Sequence, residues 1–346
     1  MSALFEPITV TPHSPDHVGG PRDVVGGMRA SRGVSFRNRV VMPPMVNGSG
    51  DGEGDVTDAA LRYYQERAAA GTAMIIVEAT AVDEKGRCWK TGLGAYADRH
   101  MASLQRLSEA IRAEGCVAAI QLVHGGPQAS PELVGGETLG PSAIRPSSDA
   151  TIPRALTREE IHSIETRFAE AAGRAVEAGF QAVEVHGAHG FLLDSFLSTH
   201  RNRRTDTYGG ALQNRARMLV ETCTRVRDRI GDQALLLARV SIFNKRDEDF
   251  SAGDFKELVK ALEGAGVDIL HISTDGAFAG YFGADKSIGK WAKEFTRLPV
   301  VVAGGLGRPR DAERAVAEGH CDFAAVGTAM LKDPDWTRRA ARALGV

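Results

Sequence analysis

The 346-residue chain carries 42 basic against 44 acidic side chains, a formal net charge of -2, and 43% hydrophobic residues. That balance suits a globular protein with a substantial core, and it offers no single-signed field to attract nucleic acid or a membrane surface. No apolar run approaches the ~20 residues needed to span a bilayer, and MSALFEPITV lacks the basic and apolar regions of a secretory leader, so the cytoplasm is the expected location.

After those first ten residues, the Gly- and Pro-rich stretch at 11–33 has neither helical nor strand period and reads as a surface loop inserted into the chain. Apolar, β-branched runs of strand length then recur at 39–45, 73–79, 117–123, 182–186, 235–241, 268–273, 299–305 and 322–327. Helix-length stretches separate them. The clearest has a capping box in Thr157 and Glu160, an apolar stripe of Ile161, Ile164, Phe168, Ala171 and Ala175, and a stop at Gly179. Cys88, Cys116, Cys223 and Cys321 stand singly, without a CxxC pair, and read as reduced thiols.

Strands that are apolar throughout and alternate with helices belong to a parallel sheet covered on both faces. Eightfold alternation in a chain of this length predicts one domain over 1–346, a closed (β/α)8 TIM barrel decorated by the 11–33 insertion. The first βα turn lacks GxGxxG, which argues against an open dinucleotide-binding sheet.

In such a barrel the chemistry sits at the C-terminal strand ends. The residues there are Pro44, Met45, Ala79, Gln121, His186, Arg239, His271, Gly304, Gly305 and Gly327. AGGLGR (303–308) and VGT (326–328) suit a phosphate held by backbone N–H groups, with Arg308 as a cationic partner, although the same glycines also permit tight turns. Arg239, among Leu, Ala and Val, needs an anion: a bound ligand, or a core carboxylate such as Glu184 or Glu78. Gln121 could meet the edge of a heterocycle or be a satisfied core amide. His186 and His189 lack a third metal ligand at recognisable spacing and suit two donors aimed at one substrate oxygen, so no metal is expected.

In order along the chain stand VSFRNRVVMPPM, YYQERAAAGTAMIIVEATAV, AAIQLVHGG, LGPSAI, HGAHGFL, NRRTDTYGG, LLARVS, VVVAGGL and AVGTAMLKDP. With these motifs nearly the whole chain resembles the Old Yellow Enzyme family of FMN-dependent ene-reductases. The resemblance implies FMN across the barrel mouth, bordered by Pro44, Met45, Val46 and Ala79, hydrogen-bonded by Gln121 at its pyrimidine edge and faced by Arg239. It further implies a phosphate cradle of Gly304, Gly305, Gly327 and Thr328, and an activated alkene gripped through its carbonyl oxygen by His186 and His189. NADH or NADPH would supply the hydride. A small-molecule substrate is the expected partner, with a homo-oligomer left open.

Three positions depart from the family pattern. Phe191 stands where a tyrosine usually protonates the substrate, leaving Tyr281 or a water as substitute donor and raising a redox-neutral isomerase or a flavin-dependent dehydrogenase as the alternative. Val46 replaces a Thr or Cys near the flavin, and Thr328 replaces an arginine beside the phosphate. A flavin-free phosphate-binding lyase or isomerase would require a lysine or carboxylate at a strand end, which this reading does not find.

Overall fold

The computed structural model describes residues 2–13, 33–241 and 250–346. Each apolar run forms one strand: β1 (Val40–Met42), β2 (Met74–Ala81), β3 (Val117–Val123), β4 (Ala182–Gly187), β5 (Leu235–Val240), β6 (Ile269–Ser273), β7 (Val300–Ala303) and β8 (Phe323–Ala325). Each pairs in parallel with its neighbour in sequence. β8 then pairs with β1, Ala324 against Val40 and Ala325 against Val41, closing the barrel.

Between and after the strands, on the outside, come α1 (Asp58–Ala69), α2 (Met101–Ala113), α3 (Arg158–Glu177), α4 (Leu212–Ile230), α5 (Ala252–Gly264), α6 (Ile288–Phe295), α7 (Pro309–Ala317) and α8 (Trp336–Ala343). In α3 the expected capping box forms. Thr157 Oγ1 accepts from Glu160 N at 3.2 Å, and Glu160 Oε2 accepts from Thr157 N at 2.8 Å. The stripe from Ile161 to Ala175 is buried, and Gly179 follows at φ +90, where a side chain would be strained. No described helix is long and apolar enough to cross a membrane.

Alternate residues of a strand face opposite sides, so the barrel interior takes every second residue. Its lower layers are apolar: Val41, Met74, Ile76, Ala119, Leu237, Ile269, Val301 and Phe323. Burial of each larger side chain contributes ~1.5–3 kcal/mol. That stabilisation offsets the polar layer above, where the same alternation places Gln121, Glu184, His186, Arg239, His271 and Ser273. At the opposite end Ile8–Val10 pairs antiparallel with Val34–Phe36, and Phe36 packs edge-on against Phe323 with centroids 5.0 Å apart. Of the 11–33 insertion, residues 14–32 lie outside the described residues. His13, just before them, is tied by its backbone N–H to Asp268 Oδ1 at 2.6 Å.

Candidate active site at the barrel mouth

Strand pairing sets the polar layer. Gln121 lies opposite Glu184, while Arg239 lies between His186 on one side and His271 on the other. Gln121 Nε2 donates to Glu184 Oε1 at 2.8 Å, and Glu184 Oε2 lies 2.6 Å from His271 Nδ1. Arg239 does not close an ion pair with either core carboxylate. Its Nη2 donates a long 3.3 Å hydrogen bond to Ser273 Oγ, and its Nε is buried without a hydrogen-bond partner. Burial pulls the guanidinium pKa below its ordinary value, against the opposing pull of the Glu184 charge. A buried cation so poorly satisfied has strong affinity for an incoming acceptor.

Arg239 opens into a cavity of about 240 Å³, also lined by Pro43, Met45, Ser273, Thr274, Gly304, Gly305, Gly307, Gly327, Thr328 and others. The glycines here answer to space as well as to turn geometry. A Cβ at Gly304 would lie 2.3 Å from the Thr274 carbonyl oxygen, and one at Gly327 would lie 3.0 Å from Met45 Sδ. The backbone is therefore bare where it borders the cavity, as approach to an anion requires.

His186 and His189 stack edge to face at 5.1 Å. His189 holds a left-handed φ of +61, unusual for a side chain with a Cβ. Two hydrogen bonds hold it there: its N–H donates to Ser241 Oγ at 2.9 Å, and its carbonyl accepts from Gln128 Nε2 at 2.6 Å. Its Nε2 lies 2.9 Å from Ser273 Oγ. Since Ser273 Oγ already accepts from Arg239, its own proton is available for Nε2, which favours the His189 proton on Nδ1. Burial, then the charges of His189, Arg239 and His271, push the His186 pKa well below its ordinary value. The same surroundings push His189 down to about 3. Both rings are neutral donors at physiological pH. Among the described residues the one group with metal-ligand spacing is His162, Glu165 and Glu221, on α3 and α4 and apart from this pair.

Phe191 caps the short helix Leu192–Leu197 and packs against His186 at 5.0 Å and Trp89 at 5.9 Å. Tyr281 hydrogen-bonds through its hydroxyl to Thr274 Oγ1, at the cavity rim.

Residues 32–345 match the NADH:flavin oxidoreductase / NADH oxidase family. The chain belongs to that family. It is 34% identical over 319 residues to the NADPH dehydrogenase of Geobacillus sp. (strain WCH70), covering 91% of this chain and 92% of the relative. To the NADH oxidase of Thermoanaerobacter brockii it is 34% identical over 321 residues, 88% of this chain but only 48% of that longer protein. Among solved structures, the old yellow enzyme homologue from Zymomonas mobilis superposes with a TM-score of 0.84 at 25% identity, over 99% of this chain and 93% of the other.

The chain is thus an oxidoreductase of the old yellow enzyme family, and its mouth can be tested for fit to FMN. The orphaned Arg239 Nε and the Gly304 backbone, with no room for a side chain, fit a polar heterocycle with a phosphate tail. Of the residues expected from sequence, Met45, Arg239, Gly304, Gly305, Gly327 and Thr328 line one cavity. Pro44 and Val46 flank Met45, with Val46 exposed at 40%. Gln121 lies beneath, bonded to Glu184. Ala79 borders a separate small cleft with Cys88 and Trp89. Arg308, expected beside the phosphate, instead pairs with Asp311 three residues on, at 2.6 Å. Sequence reasoning missed Ser273, the hydroxyl shared by Arg239 and His189. Its signal was its place two residues beyond His271, on the same face of β6.

Proposed function

We propose that the chain uses bound FMN to take hydride from NADH or NADPH and pass it to an activated alkene, a small molecule whose carbonyl oxygen His186 and His189 hold. When bound, the FMN supplies the hydride-transfer chemistry at its ring. The observation that carries the reading is Arg239, buried with an unsatisfied Nε at the edge of a glycine-lined cavity. Arg239 would meet the electronegative ring edge, Gln121 the pyrimidine edge, and the backbone of Gly304, Gly305 and Gly327 the phosphate, with Thr328 offering a hydroxyl.

Two neutral imidazoles donating to one oxygen favour a substrate that gains negative charge there during reaction, and each such donor can lower a barrier by about 2.7–4 kcal/mol. Ser273 orients the His189 ring. Met45, with Pro44 and Val46 beside it, contributes an apolar wall. A cytoplasmic setting, with its supply of reduced nicotinamide, suits the reaction.

Phe191 supports a second reading, in which net reduction is slow and the enzyme isomerises or dehydrogenates its substrate, since the ring beside His186 has no proton to give. Tyr281, bonded to Thr274 at the rim, is the candidate replacement donor. The purified protein should take up FMN, bleach anaerobically with NADH or NADPH, and recolour on mixing with an enone to give the saturated product. A flavin that stays bleached on mixing with the enone while the double bond migrates, or an oxidised flavin that bleaches when mixed with a saturated ketone to give the enone, would favour the second reading, and a protein that stays colourless when FMN is supplied would sink both.

A further inference from the structure

Below the mouth, three buried side chains from β3, β4 and β6 form one hydrogen-bonded chain. Gln121 is 1% exposed, and Glu184 and His271 are each 0% exposed. Glu184 sits in the middle, with one carboxylate oxygen toward the Gln121 amide and the other toward the His271 ring. We infer that Glu184 and His271 are positioning residues for the flavin, fixing which face of the Gln121 amide it meets and setting the charge beneath it. The inference rests on the flavin reading of the mouth.

A carboxylate only accepts hydrogen bonds, so each neighbour must present a donor to it. Gln121 therefore commits its nitrogen to Glu184 and is left with its carbonyl oxygen to offer, the partner a ring N–H requires. A flipped amide would set oxygen against oxygen in a buried site. His271 likewise places its proton on Nδ1, which leaves Nε2, buried and without a hydrogen-bond partner, as a bare acceptor. With His271 neutral, the layer holds one positive charge at Arg239 and one negative charge at Glu184. Glu184 thus weakens the field that Arg239 exerts on whatever lies above it. Removing that negative charge should favour the reduced, more negative form of the flavin, while removing the His271 donor should loosen Gln121 without changing charge.

The test measures FMN affinity by flavin fluorescence and midpoint potential by anaerobic equilibration with a reference dye, in the wild type, Glu184→Gln, Glu184→Asp and His271→Leu. For Glu184→Gln we expect about a tenfold shift in the affinity ratio toward reduced FMN, equivalent to about 30 mV upward for a two-electron couple. Glu184→Asp, which keeps the charge, should stay near the wild-type potential. His271→Leu, which has no donor for Glu184, should bind FMN roughly tenfold more weakly at unchanged potential, and it decides the orientation claim even if Glu184→Gln fails to fold. Variants that bind FMN with wild-type affinity and potential would overturn this inference alone. A wild type that binds no FMN would overturn the flavin reading, and this inference with it.

Discussion

A phenyl ring at position 191 fills space at the mouth without offering a proton, while the two donors beside it are held neutral. The site is equipped to polarise a substrate oxygen, yet at this position it cannot complete a reduction by protonating carbon. A positioned general acid contributes roughly 10²–10⁴-fold. Phe191→Tyr is therefore expected to raise the steady-state rate of enone reduction at least tenfold, and an unchanged rate would mean that another group already delivers the proton. At the neighbouring position, His186→Ala removes a donor but no wall of the phosphate cradle. Binding of a phenolate ligand, followed by its charge-transfer band, should weaken roughly tenfold or more, in keeping with ~1.5–3 kcal/mol for a hydrogen bond to a charged group. FMN content should remain that of the wild type.

The turn from β7 to α7 carries two adjacent glycines whose demands differ. A Cβ at Gly304 would lie 2.3 Å from the Thr274 carbonyl oxygen, a backbone atom that cannot swing away. At Gly305 a Cβ would find nothing within 4 Å, but the φ of +71 is left-handed. Gly305→Ala should therefore cost only the ~1–2 kcal/mol of left-handed strain. Gly304→Ala must displace the loop after β6, which carries Thr274, or the β7 turn itself. FMN affinity measured by fluorescence should fall at least tenfold for Gly304→Ala and by much less for Gly305→Ala. Equal losses would show that the clash with the Thr274 carbonyl is not what makes Gly304 indispensable. In this element the GG signature was plain in the sequence, but which glycine is indispensable depends on β6 lying beside β7. The direction taken by Arg308 was also decided locally, by Asp311 one helical turn away.

At the scale of the whole molecule, the barrel was legible because strands covered on both faces leave long apolar runs, and because Gln121 and Arg239 stand out inside such runs. What closure brings together was not legible. Glu184 and His271 are 87 positions apart and meet across the interior, and Ser273 is an ordinary strand-end serine until Arg239 and His189 turn toward it. Closure also has a consequence for acid stability. His186 and His271 are buried with pKa values displaced below 6.5 by desolvation, so the folded chain keeps them neutral while the unfolded chain protonates them as pH falls below about 6.5. The unfolded state then binds more protons, and stability declines with falling pH, by at most about 1.4 kcal/mol per pH unit for each such group. Glu165, raised to about 7 chiefly by burial, acts in the opposite sense, because its folded form takes up a proton before the unfolded one. It does so equally in the wild type and in His186→Asn, and cancels from their comparison. Between pH 7 and pH 5.5 the wild type should therefore lose about 1 kcal/mol more stability than His186→Asn, read from urea unfolding at the two pH values. Equal losses would mean that the His186 ring takes up its proton in the folded barrel as readily as in the unfolded chain, so that burial does not hold it neutral.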